Sequence, residues 1–316
     1  MSESRGKKGL DGLYKYIKSL HELYDGVIEE SYKKSERNVG LLFHILDNWI
    51  DVIGPLSGKV ELKEAMNKLA YPVLIHLWRL GNWIVYEILT GHYFEALRDI
   101  RFLFESSLLA LHYDYFIDKK IYEKWGSLAG ISLKTEIIEF IDKLRDIVRQ
   151  KISEDPKEVR KIVERHVRKF IEKLDLTEDE KKRYIDLYCE ILIQSELYWS
   201  ISKIINRFAR TFDLGKYERI LKSTWGELST YTHFSVKFFN ILLSKPEEIW
   251  IEHYDKELLE KCCKLFLVTT DLFLSIIVIQ FPMLRNLVKE RIVDWWSKNL
   301  NVKLEITNKI FMKMSC

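Results

Sequence analysis

A helical segment that is apolar on nearly all sides also carries a row of charged and polar residues. We expect this helix to be buried, with Leu97, Ile100 and Phe104 facing the core. Residues 91–116 contain four such residues at steps of three, four and seven, namely Arg98, Arg101, Glu105 and His112. These steps place the four side chains on one face of a helix. An unpaired guanidinium or carboxylate is costly to bury, so the groups must pair with each other, pair with a neighbouring helix, or open onto a wet pocket. Arg101 and Glu105, one turn apart, can pair within the helix.

A second polar face lies on a later helical segment. The stretch from Trp225 to Ser235 reads WGELSTYTHFS, and the same spacing places Ser229, His233, Lys237 and Asn240 on one side. An imidazole with an ordinary pKa of about 6.5 suits general acid–base chemistry, but it is also a common hydrogen-bonding group in protein cores. The residue type alone therefore leaves both roles open for His233.

Two long apolar helices with one polar face each are expected to bring those faces together. We therefore expect His233 to face Arg101 and Glu105. Such a cluster has two interpretations: a catalytic or ligand-binding site, or a hydrogen-bonded network that fixes two helices. Further candidates for contact with a ligand lie on the same faces: Arg98, Ser229 and Lys237.

The spacing of these residues resembles a known pattern. It is similar to that of a loosely defined group of prokaryotic helical proteins, which in turn resembles the HEPN superfamily (higher eukaryotes and prokaryotes nucleotide-binding). Catalytic HEPN proteins are metal-independent RNases of toxin and antiviral systems. The matching positions are Gly91, Ala96, Arg101 and Glu105 in a G-x4-A-x4-R-x3-E helix, and Ser229 and His233 in a later S-x3-H.

The resemblance implies cleavage of RNA without a metal or a cofactor. His233 would move a proton, Arg101 and Arg98 would stabilise the charged phosphorane, and Glu105 would orient the histidine or the arginine. Active HEPN nucleases carry an arginine four to six residues before the histidine, whereas the six residues before His233 contain none. Arg101 would have to take that role from another helix.

Composition predicts an all-α protein. The 316 residues are 47% hydrophobic and 31% charged, with 5 Pro and 13 Gly, so turns are sparse and long helices are favoured. The abundance of Lys, Glu and Ile resembles proteins from hot environments. A net charge of +3 permits an RNA partner, but it lacks the strong basic excess of a dedicated binder.

A helical interaction or scaffold protein without catalysis is the alternative class. The chain has 9 Trp and 16 Tyr, and such aromatic residues are favoured at protein interfaces. Trp295 and Trp296 point to different sides of one predicted helix, so we expect at least one of them at the surface or at a subunit contact. A homodimer is consistent with this pattern.

Several other classes of protein are not supported by the sequence. The 4 Cys lack the spacing of a zinc site, and phosphate-loop, Rossmann, serine-hydrolase and HExxH motifs are absent. The polar N-terminus does not resemble an export signal. The most apolar stretch, Leu265 to Phe281, contains Asp271 and is short for a bilayer core of about 30 Å, so we expect a buried helix. We therefore expect a cytoplasmic protein with no metal, no cofactor and no membrane partner.

The apolar periodicity predicts a single domain over 1–316, a bundle of about ten helices. A charged helical hairpin at 133–176 is expected to be either a salt-bridged surface element or an arm for an acidic partner or RNA. The β-branched tail at 300–316 predicts a short strand or an ordered tail. Pro72 should kink or split its helix. The predicted helices lie near 9–34, 36–53, 60–89, 92–117, 133–152, 156–174, 178–212, 216–242, 255–280 and 283–299.

Overall fold

The part of the chain that the structure describes is helical and contains no strand, which confirms the all-α prediction. The chain divides into two compact units, Met1–Ala110 with Ala209–Cys316, and Leu111–Phe208. A computed structural model describes residues 2–59, 68, 70–116, 156–172, 177–179, 181–182, 200–232 and 253–314.

The helices follow one another with few interruptions. Short 3-10 and π segments lie between helices at Pro282–Leu284 and Lys289–Asp294. The α-helices are α1 (Ser2–Lys59), α2 (Ala70–Leu89), α3 (Tyr93–Leu111), α4 (Pro156–Ile171), α5 (Ile201–Thr211), α6 (Lys216–Thr232), α7 (Lys256–Gln280), α8 (Arg285–Val288), α9 (Trp295–Asn299) and α10 (Glu305–Met314).

Two breaks that the sequence predicts in the helices, near residue 35 and at Pro72, differ in form from the prediction. α1 continues through the break expected between residues 34 and 36, but Ser35 has non-helical angles, with φ of -137° and ψ of 35°. α2 begins at Ala70, so Pro72 lies in its first turn, where its missing N–H removes no helical hydrogen bond. Residues 60–67 of that predicted helix lie outside the described residues.

The turn between α2 and α3 depends on a glycine. Gly91 has a φ of +84°, a conformation that L side chains rarely adopt. A Cβ at this position would lie 2.7 Å from the backbone oxygen of His253. The positive φ lets the chain turn between α2 and α3, and the nearby His253 backbone leaves no room for a side chain.

α7 is the core helix of the first unit. Almost every residue from Leu265 to Gln280 is buried, and α7 contacts α1, α2 and α10. Among the described helices, α7 alone is long and apolar enough to cross a membrane, with a mean hydropathy of 2.1 in its most apolar window, and 83% of that window is buried inside the protein. This burial confirms the expected central helix.

The C-terminal strand prediction is wrong. Residues Glu305–Met314 form α10, whose buried Ile306 and Ile310 lie one helical turn apart. Asp271 of α7 accepts the N–H groups of Ile306 and Thr307, each at 2.9 Å. Because this long-range cap satisfies amides that have no partner within the helix, it outweighs the strand preference of the β-branched residues.

The second unit contains the charged helix α4. Val163, Val167 and Ile171 are buried along one stripe, as the periodicity of this helix predicts. Residues 133–155 and 173–176 lie outside the described residues, so the hairpin at 133–176 stays a prediction. The expectation of one domain over 1–316 also stays a prediction, because much of the second unit is not described.

Candidate functional site

The charged pair predicted on α3 is formed. Arg101 donates from Nε to Oε1 of Glu105 at 2.7 Å. The side chains are 16% and 27% exposed, respectively. Their common face is therefore half-buried, which makes the pair stronger than an exposed ion pair and leaves it some contact with water.

Glu105 also joins α3 to α6. Trp225 donates its indole N–H to the same Oε1 atom at 2.9 Å. At the other end of α3, the rings of Phe94 and Tyr231 lie 6.2 Å apart, so α3 and α6 run antiparallel. One carboxylate oxygen thus accepts hydrogen bonds from two helices.

Trp225 was not among the predicted site residues. It precedes Ser229 by one helical turn, so it belongs to the face on which Ser229 and His233 were placed. Because its ring is mainly apolar, Trp225 does not stand out among the polar residues of the sequence. The feature that could have identified Trp225 is its indole N–H, which needs a hydrogen-bond acceptor when the ring is buried.

The remaining candidates are placed differently. Arg98 is 63% exposed, and its Nε lies 3.3 Å from Oδ1 of Asp99, so its guanidinium is at the surface. Ser229 is half-buried on α6. His233 and Lys237 lie outside the described residues, so the expected contact of His233 with Arg101 stays a prediction.

The expectation that α3 is buried on nearly all sides is only partly correct. Leu97, Ile100, Phe104 and Leu108 are fully buried, but Phe102 is 51% exposed. Phe102 contacts His76 of α2 edge-on, with ring centroids 6.0 Å apart. α3 is therefore a core helix with one apolar side chain at the surface.

His112 ends the predicted row on α3. It begins the π-helical turn His112–Phe116 and is almost completely buried. Burial, together with the charge of Arg207, lowers the pKa of His112 to about 4. Its imidazole is therefore neutral near pH 7 and cannot serve there as a cation.

A second polar cluster links α6 to α7. Lys261 donates to the Tyr231 hydroxyl at 2.6 Å and lies 3.7 Å from Glu227. Burial alone would lower the pKa of Lys261, but the bond to Tyr231 and the charge of Glu227 outweigh it and raise the pKa. The lysine is therefore charged and acts as a bridge rather than as a base.

A buried carboxylate lies between α2 and α3. Burial, with a further contribution from the charge of Asp99, raises the pKa of Glu87 to about 7, although a hydrogen bond with the Trp83 side chain opposes the shift. About half of the Glu87 side chains are therefore protonated at neutral pH. This group makes the first unit sensitive to pH.

The described residues show no group of three or more His, Cys, Asp or Glu that could hold a metal ion. Cys262 and Cys263 are buried free thiols on α7. Burial raises the pKa of Cys263 to about 12 and that of Cys262 well above its usual range. Neither is a reactive thiolate at neutral pH.

A groove of about 440 Å³ lies in the second unit, where the end of α4 meets residues 178–182. Arg168, Lys181 and Lys182 line it together with Glu172, Glu178 and Asp179. Lys181 pairs with Glu178 at 2.9 Å. The opposite charges offset each other, so the groove does not attract a strongly anionic ligand.

No family model matches the chain, and no curated protein or solved structure matches it. The function must therefore be inferred from the residues themselves.

Proposed function

We propose that this chain is a helical interaction protein in which Arg101, Glu105 and Trp225 lock α3 to α6. The observation that supports this role is the shared acceptor: Oε1 of Glu105 lies 2.7 Å from Arg101 Nε and 2.9 Å from Trp225 Nε1. Because both N–H groups bond to the same oxygen, one half-buried side chain joins the two helices.

The surface of α2 supports an interaction role. Trp83 and Tyr86 are 55% and 41% exposed, and their rings stack with centroids 5.3 Å apart. Trp, Tyr and Arg are the residues most enriched among those that dominate binding energy at protein interfaces. We define the α2 face as six exposed residues among those of α2 whose burial the structure describes: Ile75, His76, Arg79, Asn82, Trp83 and Tyr86.

Stability measurements test the lock. Arg101→Ala removes one donor to Glu105 and should lower the free energy of unfolding by about 1–2 kcal/mol, between the values for exposed and buried ion pairs. Arg98→Ala is the matched control on the same helix and should change it by less than about 0.5 kcal/mol. Equal effects of the two substitutions in urea denaturation would count against the lock.

HEPN-like RNA binding or metal-independent RNA cleavage is the second candidate. One observation favours it: Glu105 holds the guanidinium of Arg101 close to α6, which carries the Ser229 of the S-x3-H pattern. In this proposal His233 moves the proton, Arg101 stabilises the phosphorane and Glu105 orients the guanidinium. The protein would act in the cytoplasm.

An RNA-cleavage assay in EDTA decides between the two candidates. Catalysis predicts cleavage of labelled RNA by the natural sequence and its loss in both Arg101→Ala and His233→Ala. Arg219→Ala, at an exposed arginine of α6 outside the candidate site, is the control and should leave cleavage unchanged. The interaction role predicts no cleavage above buffer by any of these proteins, while Arg101→Ala still lowers stability.

A further inference from the structure

We propose that the α2 face is the contact surface of a symmetric homodimer, in which α2 packs antiparallel against α2 of a second copy of this chain. This inference rests on the proposed interaction role and names the partner.

The α2 face has the spacing of a helix–helix seam. Its residues recur at steps of three and four along the exposed side of α2. Glu87 is the only acidic residue in Ala70–Leu89, and it is buried, so Arg79 is the only Lys, Arg, Asp or Glu residue of the face. Such a surface, rich in aromatic groups and poor in charge, resembles the centre of a protein interface.

The aromatic side chains of the face are already ordered. The Trp83 and Tyr86 rings are tilted by only 27° from parallel, and the Trp83 side chain is hydrogen-bonded to Glu87 beneath it. His76 is held edge-on against Phe102 of α3. Side chains fixed before contact lose less conformational entropy on association.

The order of four residues of the α2 face, Arg79, Asn82, Trp83 and Tyr86, is self-complementary. A two-fold axis at the midpoint between Asn82 and Trp83 relates two antiparallel helices. Arg79 and Tyr86 each lie about 5 Å along the helix from this midpoint, on opposite sides. Arg79 of one copy therefore faces the Tyr86 ring of the other, a cation–π contact that the symmetry forms twice.

The charge of the face favours a second copy over other partners. A surface that binds RNA neutralises several phosphates with Lys and Arg, whereas this face has one arginine. A strongly charged protein would likewise find few opposite charges here. A second copy needs only an aromatic ring opposite each Arg79, and it supplies that ring itself.

Charged substitutions at Arg79 and Tyr86, which face each other across the two-fold axis, test the proposal. Light scattering of the full chain should give twice the mass of one 37.8 kDa chain. Arg79→Glu and Tyr86→Lys should each weaken association at least tenfold, because each removes the cation–π pair and places a like or unpaired charge in the contact. The double variant should recover dimerisation, because opposite charges now meet across the axis.

The two substituted positions are two helical turns apart within one chain, so recovery cannot come from pairing within a single helix. Met312→Glu is the matched control, because it introduces a charge at an exposed apolar residue of α10. It should leave the mass unchanged. Circular dichroism checks that each variant is folded.

A monomeric natural chain at micromolar concentration overturns the dimer, as does failure of the double variant to recover association. If the natural chain is monomeric but cleaves RNA in a manner that requires His233, the interaction role fails as well. If the natural chain is monomeric and cleaves no RNA, and Arg101→Ala is less stable than the natural chain, only the dimer proposal is rejected.

Discussion

The hydroxyl of Thr307 lies 2.7 Å from Oδ1 of Asp271, and the amide of Thr307 donates to the same oxygen at 2.9 Å. Ile306 donates its N–H to Oδ2 at 2.9 Å. A buried carboxylate of the core helix α7 thus caps the first turn of α10. The fold of the C-terminal segment depends on one side chain 36 residues away from Thr307.

Asp271→Asn tests this cap. One carboxylate oxygen becomes an NH2 group that faces an N–H donor, so the free energy of unfolding should fall by about 1–3 kcal/mol. Amide hydrogen exchange should accelerate in residues 305–314. Exposed Asp294→Asn is the control, and a variant at 271 as stable as this control would show that the cap contributes nothing.

The raised pKa of Glu87 predicts that the free energy of unfolding depends on pH. Its pKa is about 7 in the folded protein against an ordinary value of 4.5. Below about pH 4.5 Glu87 is protonated in both states, so its neutral form contributes fully. Between about pH 4.5 and 7 the unfolded chain releases the proton while the folded chain retains it, so the free energy of unfolding falls as the pH rises.

Glu87→Gln should remove this component and keep an acceptor for Trp83. Urea denaturation at pH 5 and pH 8 is the measurement, and the loss of stability between them should be smaller in the variant. Asp271, with a pKa raised to about 6 by burial, contributes in the same direction in both proteins and does not affect the difference. An identical pH dependence in Glu87→Gln and exposed Glu290→Gln contradicts the prediction.

Two helical glycines should respond oppositely to alanine. A Cβ at Gly81 of α2 would overlap the buried Trp49 ring, so Gly81→Ala should destabilise the protein by about 1–3 kcal/mol. A Cβ at Gly226 of α6 would have no neighbouring atom within 4 Å, so Gly226→Ala should stabilise by about 0.5–1 kcal/mol through helix propensity. Thermal melting of both variants checks the opposite signs.

Features that depend on local spacing were predictable from the sequence. The steps of three and four on α3 correctly placed Leu97, Ile100 and Phe104 in the core. The Arg101–Glu105 pair followed from the same periodicity. On α9, Trp295 is 37% exposed and Trp296 is buried, which agrees with the expectation that the two side chains point to different sides of one helix.

Features that depend on how distant segments meet were not predictable. Trp225 was missed because its contact with Glu105 depends on the relative position of α3 and α6, which no local pattern specifies. For the tail at 300–316 the sequence predicts a short strand or an ordered tail, because its β-branched residues favour a strand in isolation. The cap from Asp271 is a tertiary contact, and it reverses that local preference.

A double-mutant cycle between Glu105 and Trp225 tests the central claim most directly. Glu105→Ala removes the shared acceptor, and Trp225→Phe removes the donor while it keeps a ring of similar shape. The free energy of unfolding is measured in urea for the natural chain, both single variants and the double variant. A lock between α3 and α6 predicts a coupling energy of about 1.5–3 kcal/mol, the value for a hydrogen bond to a charged group. Strictly additive effects would show that Glu105 and Trp225 do not hold the two helices together.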